Sequence, residues 1–142
     1  MKGLSNLIRL HKLKLTEQQK KLTDLQAVAH GLQSETEAID KSAREEAVNA
    51  ENNAETAFLL GGYVQASLTR RATLQASLAE IEREMAIVRD LVATAFRELK
   101  RYELIAQRHE ADRTRDRRKR ERHTENEVGM LMHRQKERSS GN

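Results

Sequence analysis

The stretch LQASLAEIEREMAIVRDLVATAFRELKRYELIA, Leu74 to Ala106, decides the fold. Its apolar residues Leu74, Leu78, Ile81, Met85, Val88, Val92, Ala95, Leu99, Tyr102 and Ala106 follow one another at alternating spacings of four and three. That rhythm places them in one line along an α-helix, the seam of a coiled coil. The whole chain contains no proline to interrupt such a helix. A protein built from long helices around a single seam has nowhere to make an enclosed pocket, so its work is contact with partners.

Upstream, a second seam reads Leu4, Ile8, Leu15, Leu22, Leu25, Ala29, Leu32, Ile39 and Ala43, with the polar residues His11, Gln18 and Thr36 filling its gaps. Between the two seams stands the only glycine pair, Gly61-Gly62, following Phe58-Leu59-Leu60. Glycine is the usual residue at a helix stop, which predicts a turn over about residues 59–64. The expected fold is all-α: a long antiparallel two-helix coiled-coil hairpin with unequal arms. It forms a single unit over residues 1–142, with helices over about 4–58 and about 65–136. A turn at 59–64 would set Ile39 against Met85, Leu32 against Leu91 or Val92, and Leu25 against Leu99. Near the turn, Ala43, Ala47, Ala50, Ala54 and Ala57 would face a region holding Ala66, Ala72, Ala76 and Ala79. The second arm would overshoot the first by about four turns, leaving Arg120 onward without an intramolecular partner.

Composition agrees. Of 142 residues, 34% are charged and 3% aromatic, too few bulky groups for a thick core. Cysteine is absent, which excludes disulfides, thiolate metal sites and a cysteine nucleophile. No run of about 18 apolar residues exists to span a membrane. The start, MKGLSNLIRLHKLKL, has four bases and no acid but no continuous apolar core, so a secretory signal is not expected. A transit peptide or a membrane-surface helix stays open there, although the seam periodicity continues past it.

The net charge of +4 conceals a pattern. Residues 1–30 carry 6 bases against 2 acids, and residues 31–66 carry 2 against 7. Residues 67–106 are nearly balanced at 7 against 6, and residues 107–142 carry 11 against 7. Both ends are basic and the middle is acidic.

Catalytic signatures are missing. None of the six glycines opens a phosphate-binding loop or a dinucleotide fingerprint. No two of the five histidines stand four apart as a zinc-binding pair would. His11 and His109 both fall on seam positions, readable as a pH-sensitive pair or as polar breaks that loosen the open end. The chain is expected to be no enzyme, with no cofactor and no metal.

Two surfaces stand out as candidate contact sites. The densest charge runs from Arg97 to His123 and includes Arg113, Arg117, Arg118, Arg120 and Arg122. It reads as a solvated helix interleaved with acids, as a nucleic-acid surface, or as a surface for an acidic protein, since arginine forms bidentate pairs with carboxylates. The nucleic-acid reading lacks interleaved aromatics and a docking fold. A short apolar patch, Val128, Met130, Leu131 and Met132, adjoins it. The second surface is the turn, where Phe58, Leu60, Tyr63 and Val64 gather scarce large side chains.

Taken together, several segments resemble the FliJ-type flagellar export stalk proteins of the type III export ATPase complex. They are the basic leucine-rich start GLSNLIRLHKLKLTEQQKKLTDLQ, the central reversal, the stretch YVQASLTRRATLQASLAEIE, and the tail from RELKRYELIAQRHE to RKRERH. The resemblance implies a non-enzymatic coupling stalk, an antiparallel two-helix coiled coil similar to the γ-subunit stalk of rotary ATP synthases. It implies that the end bearing both termini enters a hexameric export ATPase, for which Arg113, Arg117, Arg118, Arg120, Arg122, Met130 and Leu131 are the candidate contacts. The other end would face the cytoplasmic domain of the export gate membrane protein, with Phe58, Leu60, Tyr63 and Val64 as candidates. Export chaperones are further implied partners. The implied place is cytoplasmic, peripheral to the inner membrane at the flagellar base. No nucleic acid and no direct membrane insertion are expected. Alternatives are the equivalent stalk of a virulence type III secretion system and a basic helical nucleic-acid-binding protein. The Ala-rich stripe and Gly61-Gly62 depart from the family's pattern around the turn.

Overall fold

A computed structural model describes residues 2–141; the first and last residues of the expected 1–142 hairpin lie outside the described residues. The chain forms two helices, α1 over Lys2–Asn52 and α2 over Ala54–Ser140, and no strand among the described residues. Nothing in either sequence breaks a helix from within. The residues that do not face the seam are mostly Ala, Glu, Lys, Arg and Gln, all strong helix formers.

The break falls at Asn53, not at the expected 59–64. The run Asn49-Ala50-Glu51-Asn52-Asn53 gathers a residue type that competes with helical backbone for hydrogen bonds. Asn52 Nδ2 donates back to the Val48 carbonyl at 3.4 Å. Asn53 then caps α2: its side-chain Oδ1 accepts from the Glu55 backbone N–H at 3.0 Å, and its carbonyl accepts from the Ala57 N–H at 3.0 Å. Glu55 in the first turn and Arg138 in the last also suit the dipole of α2. Gly61 and Gly62 lie inside α2, and neither takes a positive φ. The expectation failed because glycine permits a turn without requiring one, whereas an asparagine cap supplies a hydrogen bond that a helix start needs.

The chain divides into two compact units. In the first, His11–Arg97, Ala29, Leu74, Met85 and Val88 are buried, and Leu15, Leu22, Leu25, Leu32, Ile39, Leu78, Ile81 and Val92 are half-buried. Gln18 and Thr36 are half-buried as well, filling the gaps they occupy in the seam. Cross-helix contacts are specific here. Arg70 Nη2 donates to Glu35 Oε2 at 3.3 Å, and Arg71 Nε lies 3.3 Å from Asp40 Oδ1. A shallow cleft of about 380 Å³ is lined jointly by Lys21, Asp24, Leu25, Glu84, Ile87 and Val88. Leu25 therefore lies beside Val88 rather than in the expected register with Leu99. The expected alanine stripe also differs: Ala43 and Ala50 are half-buried, but Ala47, Ala54, Ala57, Ala66, Ala72, Ala76 and Ala79 are exposed. Ser67 and Arg71 take the places that the second set was expected to fill.

In the second unit, residues 2–10 and 98–141, Leu99 is buried and Leu4, Ile8, Tyr102, Ile105 and Ala106 are half-buried. From Gln107 to Gly141 every residue is exposed except Thr114. The unpacked stretch thus begins well before the expected Arg120.

The position of the break has a direct test. A Cβ added at Gly61 or Gly62 would meet nothing within 4 Å. Gly61→Ala and Gly62→Ala should each stabilise the protein by about 0.8 kcal/mol, the helix-propensity difference. Asn53→Ala should destabilise it by about 1 kcal/mol through loss of the cap. Chemical denaturation followed by circular dichroism reads both, and a turn at 59–64 would reverse the sign at the glycines.

Candidate functional site

The candidate contact residues divide between the two units. Phe58, Leu60, Tyr63 and Val64 stand on the first turns of α2, past the Asn53 cap. The seam rhythm extends backward through Leu74, Arg71, Ser67, Val64 and Leu60, so Leu60 is half-buried and Val64 is 38% exposed. Phe58 is 89% exposed and Leu59 70%, pointing away from that line. Of the four expected residues, Phe58 is thus almost fully in solvent, Tyr63 (37%) and Val64 (38%) are partly exposed, and Leu60 is half-buried. Leu60 and Val64 belong to the seam side, and Phe58 with Leu59 forms the solvent-facing apolar pair. Leu68, 54% exposed, lies on the same helix and was not singled out from the sequence.

The basic candidates all lie on the exposed part of α2, and helical geometry sorts them onto two faces. Arg113, Arg117 and Arg120 line one groove with Glu110, Thr114 and Asp116. Arg118 and Arg122 line another with Arg115 and Lys119, above Gln107, Ala111 and Thr114. Arg115 and Lys119 belong to the same basic run in the sequence but were not among the candidate contacts. Their spacing from Ala111, Arg118 and Arg122 at three and four residues was the available signal. The second face is the more strongly cationic, since only Glu110 among its lining residues is acidic.

Little holds these side chains. Arg113 lies 4.0 Å from Glu110 and Arg115 3.9 Å from Asp112, both one helical turn away and both well exposed. Such pairs are worth a few tenths of a kcal/mol at about neutral pH and are weakened by salt. The guanidinium groups thus remain available to an outside carboxylate without breaking anything costly. Further on, Met130 (64% exposed), Leu131 (60%) and Met132 (66%) stand in solvent beside two matched pairs. In these, His123 Nε2 lies 3.2 Å from Glu127 Oε1 and His133 Nε2 3.2 Å from Glu137 Oε1. Met130 and His133 line a further open groove with Arg134 and Glu137.

No group of three or more His, Cys, Asp or Glu side chains able to hold a metal ion occurs among the described residues. No helix among them is long and apolar enough to cross a membrane.

Two long helices with their chemistry displayed on open charged and apolar faces define the class: an all-α helical protein suited to binding through its surface. Comparison with known proteins narrows this. The chain is 29% identical over 106 residues to the flagellar FliJ protein of Caulobacter vibrioides strain NA1000 / CB15N, covering 75% of this chain and 76% of that one. The flagellar FliJ protein of Caulobacter vibrioides strain ATCC 19089 / CIP 103742 / CB 15 matches to the same extent. The resemblance to FliJ-type proteins read from the sequence is thereby shown. No protein-family model matches the chain, and no solved structure does.

The contrast between the packed and unpacked parts of α2 is measurable. Helix that buries no face is held by propensity and local pairs alone and opens with little cost. In hydrogen-exchange mass spectrometry, amides beyond about residue 107 should exchange at least about tenfold faster than those between Leu74 and Ala106. Equal protection across residue 107 would mean that the distal helix is packed against something.

Proposed function

We propose that this chain is a non-enzymatic coupling stalk of the flagellar type III protein export apparatus. In this reading, residues 1–142 make a single antiparallel coiled-coil hairpin closed at Asn53. The exposed basic stretch of α2 enters a hexameric export ATPase, and the Phe58 to Val64 region contacts the cytoplasmic domain of the export gate membrane protein. Export chaperones are further partners, and the protein works in the cytoplasm, peripheral to the inner membrane at the flagellar base.

One observation carries the reading. The stretch from Gln107 to Gly141 is helical to Ser140, exposed almost throughout and basic, and it belongs to a chain similar to flagellar FliJ proteins. The flagellar identity of those relatives supports a flagellar role over a virulence secretion stalk. A helix exposed on all sides suits a ring pore because it presents side chains in every direction at once. Its arginines match carboxylates in paired, directional hydrogen bonds. Contact that differs among six subunits would favour different conformations in each, which is how a passive rod biases a catalytic cycle. The chain needs no catalytic group of its own for this.

The test is a truncation. Removing residues 108–142 should abolish stimulation of the cognate hexameric ATPase while leaving affinity for the gate domain within about twofold. Arg118→Glu combined with Arg122→Glu should reduce stimulation at least about tenfold, more so at low salt. Full stimulation by the truncated protein would refute the reading.

A further inference from the structure

The line that packs α2 has a counterpart on the back of the helix. Within the unit that holds residues 98–141, Leu99, Tyr102 and Ala106 keep the seam spacing and are buried or half-buried. A second line with the same rhythm runs through Arg101, Leu104, Arg108, Ala111, Arg115, Arg118 and Arg122, every one of them exposed. Its positions fall about halfway round the helix from the seam, so the packed side leaves it clear. Five of its seven residues are arginine and none is acidic. Lys100 and Lys119 stand at its margins. Among the described residues only two of these bases are joined to an acid, Lys100 to Glu103 at 3.1 Å and Arg115 to Asp112 at 3.9 Å.

Such a line fits an anionic surface, and the acids beside it indicate which kind. Asp112 and Asp116 lie to one side of it, Glu103, Glu110 and Glu121 to the other. A helix seated in the major groove of duplex nucleic acid has a phosphate strand along each side, which would repel these carboxylates. Single strands are held by stacking on aromatic rings, and the only Phe, Tyr or Trp between residues 100 and 122 is Tyr102, half-buried on the seam. A flat surface meets the arginine line alone. That line is about 33 Å long at 1.5 Å per residue, and a folded protein would need carboxylates in register along all of it. In a fluid bilayer the anionic headgroups diffuse to whatever spacing the bases set. Arginine also lays its methylene stem along the interface while its guanidinium pairs with phosphate. Leu104 and Ala111 add too little apolar surface for insertion. We propose that the face of α2 from Lys100 to Arg122 is a site of reversible adsorption to a membrane surface bearing anionic lipid. The proposal is independent of the coupling-stalk reading. Both use Arg118 and Arg122, so a chain held on lipid does not present them to a ring at the same time.

Cosedimentation of the full chain with vesicles tests it. At about 0.1 M salt the protein should bind phosphatidylcholine vesicles containing about 30% phosphatidylglycerol and should not bind pure phosphatidylcholine. Raising the salt to about 0.5 M should weaken binding at least about tenfold. Each base held near an anionic surface changes affinity about fivefold. Arg115→Gln, Arg118→Gln and Arg122→Gln together should therefore cost about a hundredfold. Arg113→Gln, Arg117→Gln and Arg120→Gln together remove the same charge from the other side of the helix and should cost at most about threefold. Glutamine keeps helix propensity, and circular dichroism of each variant checks that helix content is retained. Absence of binding to the anionic vesicles would overturn the proposal. Equal losses in the two triple variants would overturn it as well, because net charge and not this face would then set the affinity. So would tighter binding to duplex DNA of about 20 base pairs than to the vesicles, which would reassign the line to nucleic acid.

Discussion

Everything in this molecule depends on one apolar seam. A pair of helices buries a single stripe from each, and here that stripe is thin. Among the described residues only Ala29, Leu74, Met85, Val88 and Leu99 are buried, and each keeps 3–8% of its surface in water. A fully buried leucine contributes about 2 kcal/mol, while ordering a residue costs about 1.5, so such a seam leaves little surplus. Polar residues within it, among them Gln18 with its buried and unpartnered Oε1, reduce the surplus further. The protein therefore has no spare core from which to build a pocket. Its functional chemistry lies on the outside of its helices, where charged groups need no burial.

A seam with a strict seven-residue repeat also hides its own register. Sliding one helix by whole heptads returns apolar residues to apolar partners, so spacing alone cannot choose among registers. This is why the helical class and the identity of both seams were legible in the sequence, down to the polar insertions His11, Gln18 and Thr36, all half-buried. It is also why the pairing was not. Moving the closing point from Gly61-Gly62 to Asn53 shifts the pairing register between the helices by about two heptads. The choice rests on details that a repeat does not encode. One is the Asn53 cap. Another is the fate of Leu4, Ile8 and Leu15, which a turn at 59–64 would set opposite the charged stretch 108–119. The observed break leaves all three half-buried, worth about 1 kcal/mol each. The charged contacts of Arg70 with Glu35 and Arg71 with Asp40 suit that pairing alone.

The candidate site was legible in its location and less so in its parts. Composition marks residues 107–142 as basic, and the end of the alternating seam near Ala106 marks where packing stops. What one-dimensional reading merges, the helix separates. Arg117 and Arg118 are neighbours in sequence yet stand about 100° apart around the axis and line different grooves. Arg115 and Lys119 gain their significance only from sharing a face with Arg118 and Arg122. Phe58 and Leu60 were grouped by proximity, but the seam claims one and solvent the other.

An exposed helix with no packed face would ordinarily be a poor binding element, because a partner must first order it. Here the ordering is local. Arg113 with Glu110 and Arg115 with Asp112 are pairs one turn apart, each adding a few tenths of a kcal/mol to the helix. The helix is also continuous with a packed segment that serves as its nucleus, so each further turn extends an existing helix and avoids the cost of starting one. A partner that meets this stretch has only the side chains left to order. The acids in these pairs also dilute the positive charge of the stretch, so attraction to a carboxylate-lined surface is moderated rather than maximal. Whatever meets this stretch therefore finds one face, lined by Arg115, Arg118, Lys119 and Arg122, on which a single acid, Glu110, is interleaved.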